Sequence, residues 1–228
     1  MSTRARHICY FFDYAALSTY SLGSALAYSA YIFPMGWVNS TFHHCYVPIA
    51  VFNTVVSTSL SCYSRFLEAE RPLLSKASRI LAFAYPYLFD SIPLFYRVWL
   101  PVGTAPGQWL AAGLGISSHT AFAFLTCFIF ASHLPERLAP GHFDYIGHSH
   151  QVFHVCGIIG THFQMEAIMM DMAERHDWLL PSSLLPSSLQ TLGSMGICMA
   201  MNLAVIGLCS ASLRFMPEPL QREKPHRH

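Results

Sequence analysis

The chain has few charged residues for its length. Asp, Glu, Lys and Arg make up 11% of its 228 residues, whereas a soluble globular domain carries about 25%. It also lacks a basic excess, because its formal net charge is +1, so nothing in it is suited to neutralising the phosphates of a nucleic acid. Aromatic residues make up 14%, which excludes a disordered chain of low hydrophobicity. The composition therefore fits neither a soluble domain, nor a disordered chain, nor a protein with a nucleic-acid partner.

Cysteine pairs with metal-binding spacing are also missing. The seven cysteines include no CxxC pair, so their spacing indicates neither a disulfide framework nor a cysteine zinc site. Most of them lie in or beside apolar runs, where a buried free thiol is the common state. A cleavable signal peptide is not expected either, because the first apolar segment has full spanning length and no small-residue cleavage site.

Long apolar runs are what the chain does have. Hydrophobic residues make up 53% of it and the mean hydropathy is +0.37. Six segments reach the roughly 20 apolar residues that a spanning helix needs, and they lack the alternation of strands. Their approximate limits are 8–33, 44–63, 80–100, 109–133, 148–172 and 188–215. The sequence predicts an all-α polytopic membrane protein, with a helical bundle over residues 1–216 and a cytoplasmic tail over 217–228.

Basic residues are shared unevenly between the two sides of these segments. Eleven of the thirteen would lie on one side of the membrane. They stand before the first segment, between the second and third, between the fourth and fifth, and after the sixth. The other side holds only Arg97 and Arg175. Because Lys and Arg accumulate on the cytoplasmic side of a membrane, the sequence predicts that both termini are cytoplasmic. The sequon at Asn39 then falls in the first outer loop and is a candidate glycosylation site.

Ionisable side chains inside the apolar segments mark candidate sites, because each costs on the order of 3 kcal/mol at the centre of a bilayer. The strongest set runs from His148 to His154. His150 and His154 are one helical turn apart and face the same side. Two imidazoles at this spacing can chelate one divalent metal, as in the HExxH motif, although no Glu follows His150 here. The alternative is a polar pair bonded to neighbouring serines or waters.

Asp13 is expected to lie at the same depth as this pair. The first and fifth segments both run from the inside to the outside, and Asp13 is about as far into the first as His150 and His154 are into the fifth. One carboxylate and two histidines would then share a layer near the inner leaflet. Such a layer suits a metal that carries a bound water.

The other polar residues in the segments support weaker expectations. Asp90 precedes a proline and is expected to support a kinked helix. His119, Asn53 and Asn202 are expected to form hydrogen bonds between helices. His162 and the glutamate four residues later are again one turn apart, so they either line a cavity or bond each other.

Several linked motifs carry a resemblance to a known family. They are Phe12-Asp13-Tyr14 with the serine-rich stretch to Ser24, SHLPER at 132–137, GHFDYI at 141–146, and GHSHQVFH at 147–154 with His162 downstream. Together they resemble the progestin and adipoQ receptor family, and the resemblance covers essentially the whole chain.

The resemblance implies an adiponectin-receptor-like bundle of seven or eight helices, of which this chain would hold six. It also implies a zinc ion held by three histidines, with an aspartate reached through water. His150 and His154 match two of those histidines, and Asp13 matches the water-orienting aspartate. The third histidine would lie upstream of Met1, so the chain would lack the first two spans and bind zinc weakly or not at all. His148 and His162 are the first candidates for completing a site.

Three functions remain open at this point. The resemblance implies a plasma-membrane steroid receptor with progesterone as its ligand and an inhibitory G protein as its partner. By analogy within the family, a second possibility is a zinc-dependent, ceramidase-like hydrolase of lipid amides, in which Asp13 acts as a base or orients the zinc-bound water. A third is an inactive short form. The apolar composition alone supports only the milder statement that the bundle can bury an apolar ligand.

Overall fold

The computed structural model describes residues 3–68, 70–99, 106–139, 142–143, 146–179 and 188–215. Every regular element within these ranges is a helix, which confirms the all-α class. The α-helices are α1 Thr3–Ala27, α2 Thr41–Leu67, α3 Pro72–Asp90, α4 Ile92–Trp99, α5 Pro106–Ser132, α6 Ser149–Leu179 and α7 Ser188–Ser212. The predicted cytoplasmic tail, 217–228, lies outside the described residues.

Three helical stretches within the described ranges are long and apolar enough to cross a membrane. They are Thr41–Leu67, Gly115–Ser132 and Leu189–Phe215, which coincide with the predicted second, fourth and sixth segments. The helices at the other predicted segments do not meet that combination of length and apolar composition within the described residues. The total of six spans stays a prediction.

Two of the predicted segments are not continuous α-helices. In the first, α1 ends at Ala27 and continues as a π-helical turn, Tyr28–Ile32. In the third, α3 ends at Asp90 and α4 begins at Ile92. Pro93 explains this second break, because it has no N–H to donate and its ring clashes with the carbonyl four residues earlier. The kink expected beside Asp90 is therefore a full interruption of the helix.

The chain divides into two units. The first comprises Met1–Ser29, Asn39–Ser91 and Pro186–His228, and the second comprises Ala30–Val38 and Ile92–Leu185. In the first unit α2 packs against α1, α3 and α7, and α1 also contacts α7. In the second unit the main packing is α5 along α6.

In the first unit, α2 buries its polar side and exposes its apolar side. Its buried residues are Tyr46, Ala50, Asn53, Thr54, Ser57, Thr58, Ser61, Cys62 and Ser64, whereas Phe52 is 67% exposed. The hydroxyls are satisfied locally or across the helix contact, since Thr54 donates to the carbonyl of Ala50 at 2.8 Å and Ser57 bonds Ser18 of α1 at 3.1 Å. This distribution is typical of a helix with lipid on its outer side, where small polar residues mediate helix packing.

One of the predicted interhelical bonds lies in the same unit. The amide Nδ2 of Asn202 on α7 donates to Thr19 Oγ1 on α1 at 3.1 Å, which confirms the role expected for Asn202. Asn53 is equally buried, but its Nδ2 has no hydrogen-bond partner. Nδ2 of Asn53 therefore does not form the predicted interhelical bond.

In the second unit, α5 and α6 approach each other closely at two glycines. A Cβ added to Gly160 would lie 3.1 Å from the Cβ of Phe122, and one added to Gly115 would lie 3.4 Å from the Cβ of Ala167. At the same contact the Nδ1 of His119 lies 3.0 Å from the carbonyl oxygen of Gly160. The interhelical hydrogen bond predicted for His119 is thereby confirmed.

Candidate metal-binding site

The start of α6 fixes where its histidines lie. Gly147 has a φ of +80°, which favours glycine, and a Cβ there would come within 3.2 Å of Phe143. The N–H of Gly147 donates to Oε1 of Gln151 at 2.7 Å, and the N–H of Gln151 donates to the carbonyl of His148 at 2.9 Å. The Gln151 side chain thus satisfies a backbone N–H just before the helix, and the backbone bond to His148 closes its first turn. The helix begins at Ser149.

A second contact ties the preceding turn to the same helix end. Ser149 is buried and its hydroxyl donates to Glu136 Oε1 at 3.2 Å. Burial tends to raise the pKa of the Glu136 carboxyl, but hydrogen bonds from the side chain and backbone of Ser149 outweigh it and lower that pKa overall. The ionised carboxylate therefore holds the first turn of α6 in place.

His150 and His154 meet on the face that the sequence predicts. Their Nε2 atoms are 3.1 Å apart, and their rings stand perpendicular with centroids 4.6 Å apart. His150 is half-buried and His154 is exposed. Between them Phe153 packs against Phe130 of α5, with ring centroids 5.6 Å apart, so the pair lies beside an anchored aromatic contact.

The spacing of the two nitrogens fits a shared metal ion. Zinc lies about 2.0–2.1 Å from an imidazole nitrogen, so two ligands of a tetrahedral site are about 3.3 Å apart. The 3.1 Å between His150 Nε2 and His154 Nε2 is within a few tenths of that value. The same distance also suits a hydrogen bond in which one Nε2–H donates to the other ring. The geometry is thus compatible with both interpretations of the pair.

The remaining candidates lie apart from this pair along the chain. His148 precedes α6, and its ring centroid is 6.3 Å from that of His150. His162 lies farther along α6, where its Nε2 is 3.4 Å from Glu166 Oε1 and both side chains are exposed. Asp13 is half-buried on α1. Because Asp13 belongs to the first unit and the histidine pair to the second, their shared layer remains a prediction.

Sequence reasoning missed an ion pair in the second unit. Arg97 Nη1 of α4 lies 2.5 Å from Asp171 Oδ2 of α6, and the side chain of Asp171 is only 1% exposed. The sequence places Arg97 only among the charges of the outer side. One sequence feature could have predicted this ion pair. The two opposite charges lie near the outer ends of the third and fifth predicted segments, at similar depth.

A second missed cluster lies where α2 of the first unit ends. The guanidinium carbon of Arg65 lies 3.7 Å from the ring centroid of Tyr10, and Arg65 Nη1 is 2.6 Å from Glu68 Oε2. Arg79 Nη2 is 3.8 Å from the other oxygen of Glu68. Burial tends to raise the pKa of Glu68, but Arg65 and then Arg79 lower it overall. The carboxylate is therefore ionised at neutral pH.

Comparisons with known proteins support the family resemblance. The chain is 56% identical to membrane progestin receptor gamma-B of Danio rerio, over 96% of this chain and 67% of the relative. It is 51% identical to the human membrane progestin receptor gamma, over 98% of this chain and 67% of the relative. The human delta receptor is also 51% identical, over 95% of this chain and 63% of that receptor. The chain thus spans about two-thirds of the length of these relatives.

No solved structure is significantly similar to the chain. The family described as "Haemolysin-III related" matches residues 1–165, a stretch that includes Asp13, His150 and His154. Together with the identity to the gamma and delta receptors, this match confirms the resemblance to the progestin and adipoQ receptors. The chain belongs to the haemolysin-III-related family.

Proposed function

We propose that the protein is a membrane receptor for a progestin, with progesterone as the first ligand to test. One observation carries the proposal: identity of 51–56% to proteins named membrane progestin receptors, over 95–98% of this chain. The apolar helices are compatible with an apolar ligand, since small-molecule sites are mostly apolar with a few polar groups. Because the chain spans about two-thirds of those relatives, the activity has to be measured on this chain itself.

Steroid binding is the direct test of this proposal. Membranes from cells that produce the chain should bind tritiated progesterone saturably, and unlabelled progesterone should displace it better than cortisol or cholesterol. Membranes with an equal amount of an unrelated polytopic protein provide the control. A correctly inserted chain that binds no more steroid than this control would contradict the proposal.

We further propose that the receptor acts at the plasma membrane through an inhibitory G protein, with both termini in the cytoplasm. The distribution of basic residues, eleven on one side and two on the other, supports the orientation. Tags at residues 1 and 228 should be protected from external protease in intact cells. Progesterone should lower cyclic AMP in these cells, and pertussis toxin should abolish that response. Digestion of either tag would exclude the orientation, and a toxin-insensitive response would exclude the G protein.

We also propose that His150 and His154 are protein ligands of a zinc ion. The 3.1 Å between their Nε2 atoms supports this assignment. Zinc at this position would supply a Lewis acid and an acidified water, and Asp13 would orient that water. Two imidazoles are fewer than the three or four protein ligands of ordinary zinc sites, so the affinity should be lower by orders of magnitude.

Metal analysis of the purified chain tests this site. His150→Ala and His154→Ala should each abolish whatever zinc binds, whereas Asp13→Ala should cost less, about 10- to 100-fold in affinity. His148→Ala and His162→Ala show whether another histidine completes the site. Stoichiometric zinc that survives both His150→Ala and His154→Ala would exclude the pair as its ligands.

A second candidate function is hydrolysis of a lipid amide such as ceramide. The chelating distance in the histidine pair favours it, because a metal-activated water is the group that such a reaction needs. Release of fatty acid from a short-chain ceramide, lost on chelation and restored by zinc, would support the hydrolase. Steroid binding that survives chelation, without fatty-acid release, would support the receptor.

A further inference from the structure

Two cysteines that are far apart in the sequence meet near the C-terminal ends of α2 and α7 in the first unit. Cys209 packs against the core cluster that contains Cys62, and the two thiols are close enough to interact. Cys62 is completely buried, whereas Cys209 is partly exposed. Both are free thiols in the structure. The two side chains are therefore already neighbours in the reduced protein.

The surroundings hold the two thiols together. Cys62 belongs to a core cluster that α1, α2, α7 and the short 3₁₀ turn after α7 build, and Cys209 packs against that cluster. The other buried members of the cluster are Phe11, Tyr14, Ala15, Ile206 and Leu213. Close-packed interiors restrict the movement of their side chains, so neither sulfur has to travel far to reach the other.

We propose that Cys62 and Cys209 form a reversible redox pair, in which a disulfide bond joins α2 to α7. A peroxide first oxidises the sulfur of Cys209, the more exposed of the two, to a sulfenic acid and releases one water. The sulfur of Cys62 then attacks the sulfur of Cys209, and the second water leaves as the S–S bond forms. In total the two thiols give up two electrons and two protons to one peroxide molecule.

Reduction by a thiol such as glutathione returns both thiols through a mixed disulfide. The predicted orientation places these helix ends at the cytoplasmic side. Disulfides there are usually transient and redox-sensing rather than structural. The pair is thus a modification site that depends on the oxidant and is independent of the proposed steroid ligand.

Cys198 provides a matched control within the same helix. It is also fully buried on α7, but its sulfur lies 3.7 Å from the amide Nδ2 of Asn202. It therefore has a polar neighbour of its own and should stay out of the reaction. Cys198→Ser removes a thiol from α7, as Cys209→Ser does, but at a position away from Cys62. It therefore tests whether the position of the thiol matters.

The experiment uses the full chain in membranes after reduction and removal of the reductant. Dilute hydrogen peroxide is added, remaining thiols are blocked with N-ethylmaleimide, and disulfide-linked peptides are identified by mass spectrometry. The peptide that links Cys62 to Cys209 should dominate in the unsubstituted chain and disappear after dithiothreitol. It should be absent from Cys62→Ser and Cys209→Ser and unchanged in Cys198→Ser.

A second measurement needs neither oxidation nor substitution. Phenylarsine oxide binds two neighbouring thiols at once, so it should protect Cys62 and Cys209 together from maleimide in the unsubstituted chain. A linkage of either cysteine to a different partner would overturn the proposal. So would peroxide products confined to sulfinic acid at Cys209, or maleimide labelling of both residues that the arsenical does not change.

Discussion

Helices α2 and α6 use their polar residues in opposite ways. In α2 most serines and threonines lie in a buried stripe, while large apolar residues such as Phe52 face outward. In α6 the buried stripe contains mostly small residues and one ion-paired carboxylate, whereas His154, His162 and Glu166 are exposed. Polar groups thus serve packing in α2. In α6 these three exposed side chains lie on a face that the packing of its own unit leaves open.

This difference separates stability from site chemistry. A substitution in the buried stripe of either helix changes atoms that hold a unit together, so it should act on folding. A substitution at His150 or His154 removes an imidazole from a partly or fully exposed position, so it should act on ligand chemistry.

Removal of Arg97 should have the largest effect. Arg97→Leu takes away the cation 2.5 Å from the buried carboxylate of Asp171, and breaking a buried ion pair from one side costs about 3–5 kcal/mol. Thermal unfolding of the purified protein measures the loss. The double variant Arg97→Leu/Asp171→Leu should recover much of it, because no buried charge remains. Glu166→Gln, an exposed change on the same helix, should alter stability by less than about 0.5 kcal/mol.

Enlarging a residue of the α2 stripe should come next. Ser57→Leu forces extra methylene groups against α1 and removes the 3.1 Å bond to Ser18, which together should cost about 1–3 kcal/mol. Val56→Leu is the matched control. Because Val56 is 42% exposed, the larger side chain can extend away from the helix contact. Equal melting temperatures for the two variants would show that the polar stripe of α2 is not a packed interface.

The histidine pair should affect metal content far more than stability. His150→Ala and His154→Ala each leave the Phe153–Phe130 contact in place, so unfolding should change by less than about 1 kcal/mol, as for other partly exposed sites. Zinc content and any metal-dependent activity should fall with either change. A destabilisation as large as that of Arg97→Leu would show that the histidine pair is a structural element. The polar residues of α6 would then serve packing, as those of α2 do.

How far the sequence predicts this architecture depends on the kind of signal. Apolar length and helical spacing predict the all-α class and the shared face of His150 and His154, because both depend on local periodicity. That His119 and Asn202 bond a neighbouring helix is predicted instead from the tendency of polar side chains in membrane helices to pair, which does not say which helix they meet. At Ser91 the sequence predicts only a kink, because a proline in a membrane helix is compatible with either a kink or a break. Contacts between distant helices, such as Arg97 with Asp171, follow from packing that one sequence does not reveal.

The smallest effect is expected at Glu68, where α2 ends and the buried stripe gives way to charges. The pKa of this carboxyl is lowered from its ordinary value of 4.5, because Arg65 and Arg79 outweigh the burial that would raise it. The native state therefore binds fewer protons than the unfolded state in acid. The stabilisation is fully present above the ordinary pKa of 4.5 and is lost as the pH falls through the lowered pKa of the native state.

Glu68→Gln should remove this pH-dependent contribution. The side chain of Glu68 is 44% exposed, so solvent screening limits the effect to roughly 0.2–1 kcal/mol at neutral pH. The melting temperatures of the variant and the unsubstituted protein should differ slightly at pH 7, converge as the pH falls through the lowered pKa of Glu68, and differ less at high salt. Glu70→Gln, an exposed change two residues away, serves as the control. A difference that grows in acid would mean that Glu68 is held protonated, and Arg65 would then be stabilised mainly by its contact with Tyr10.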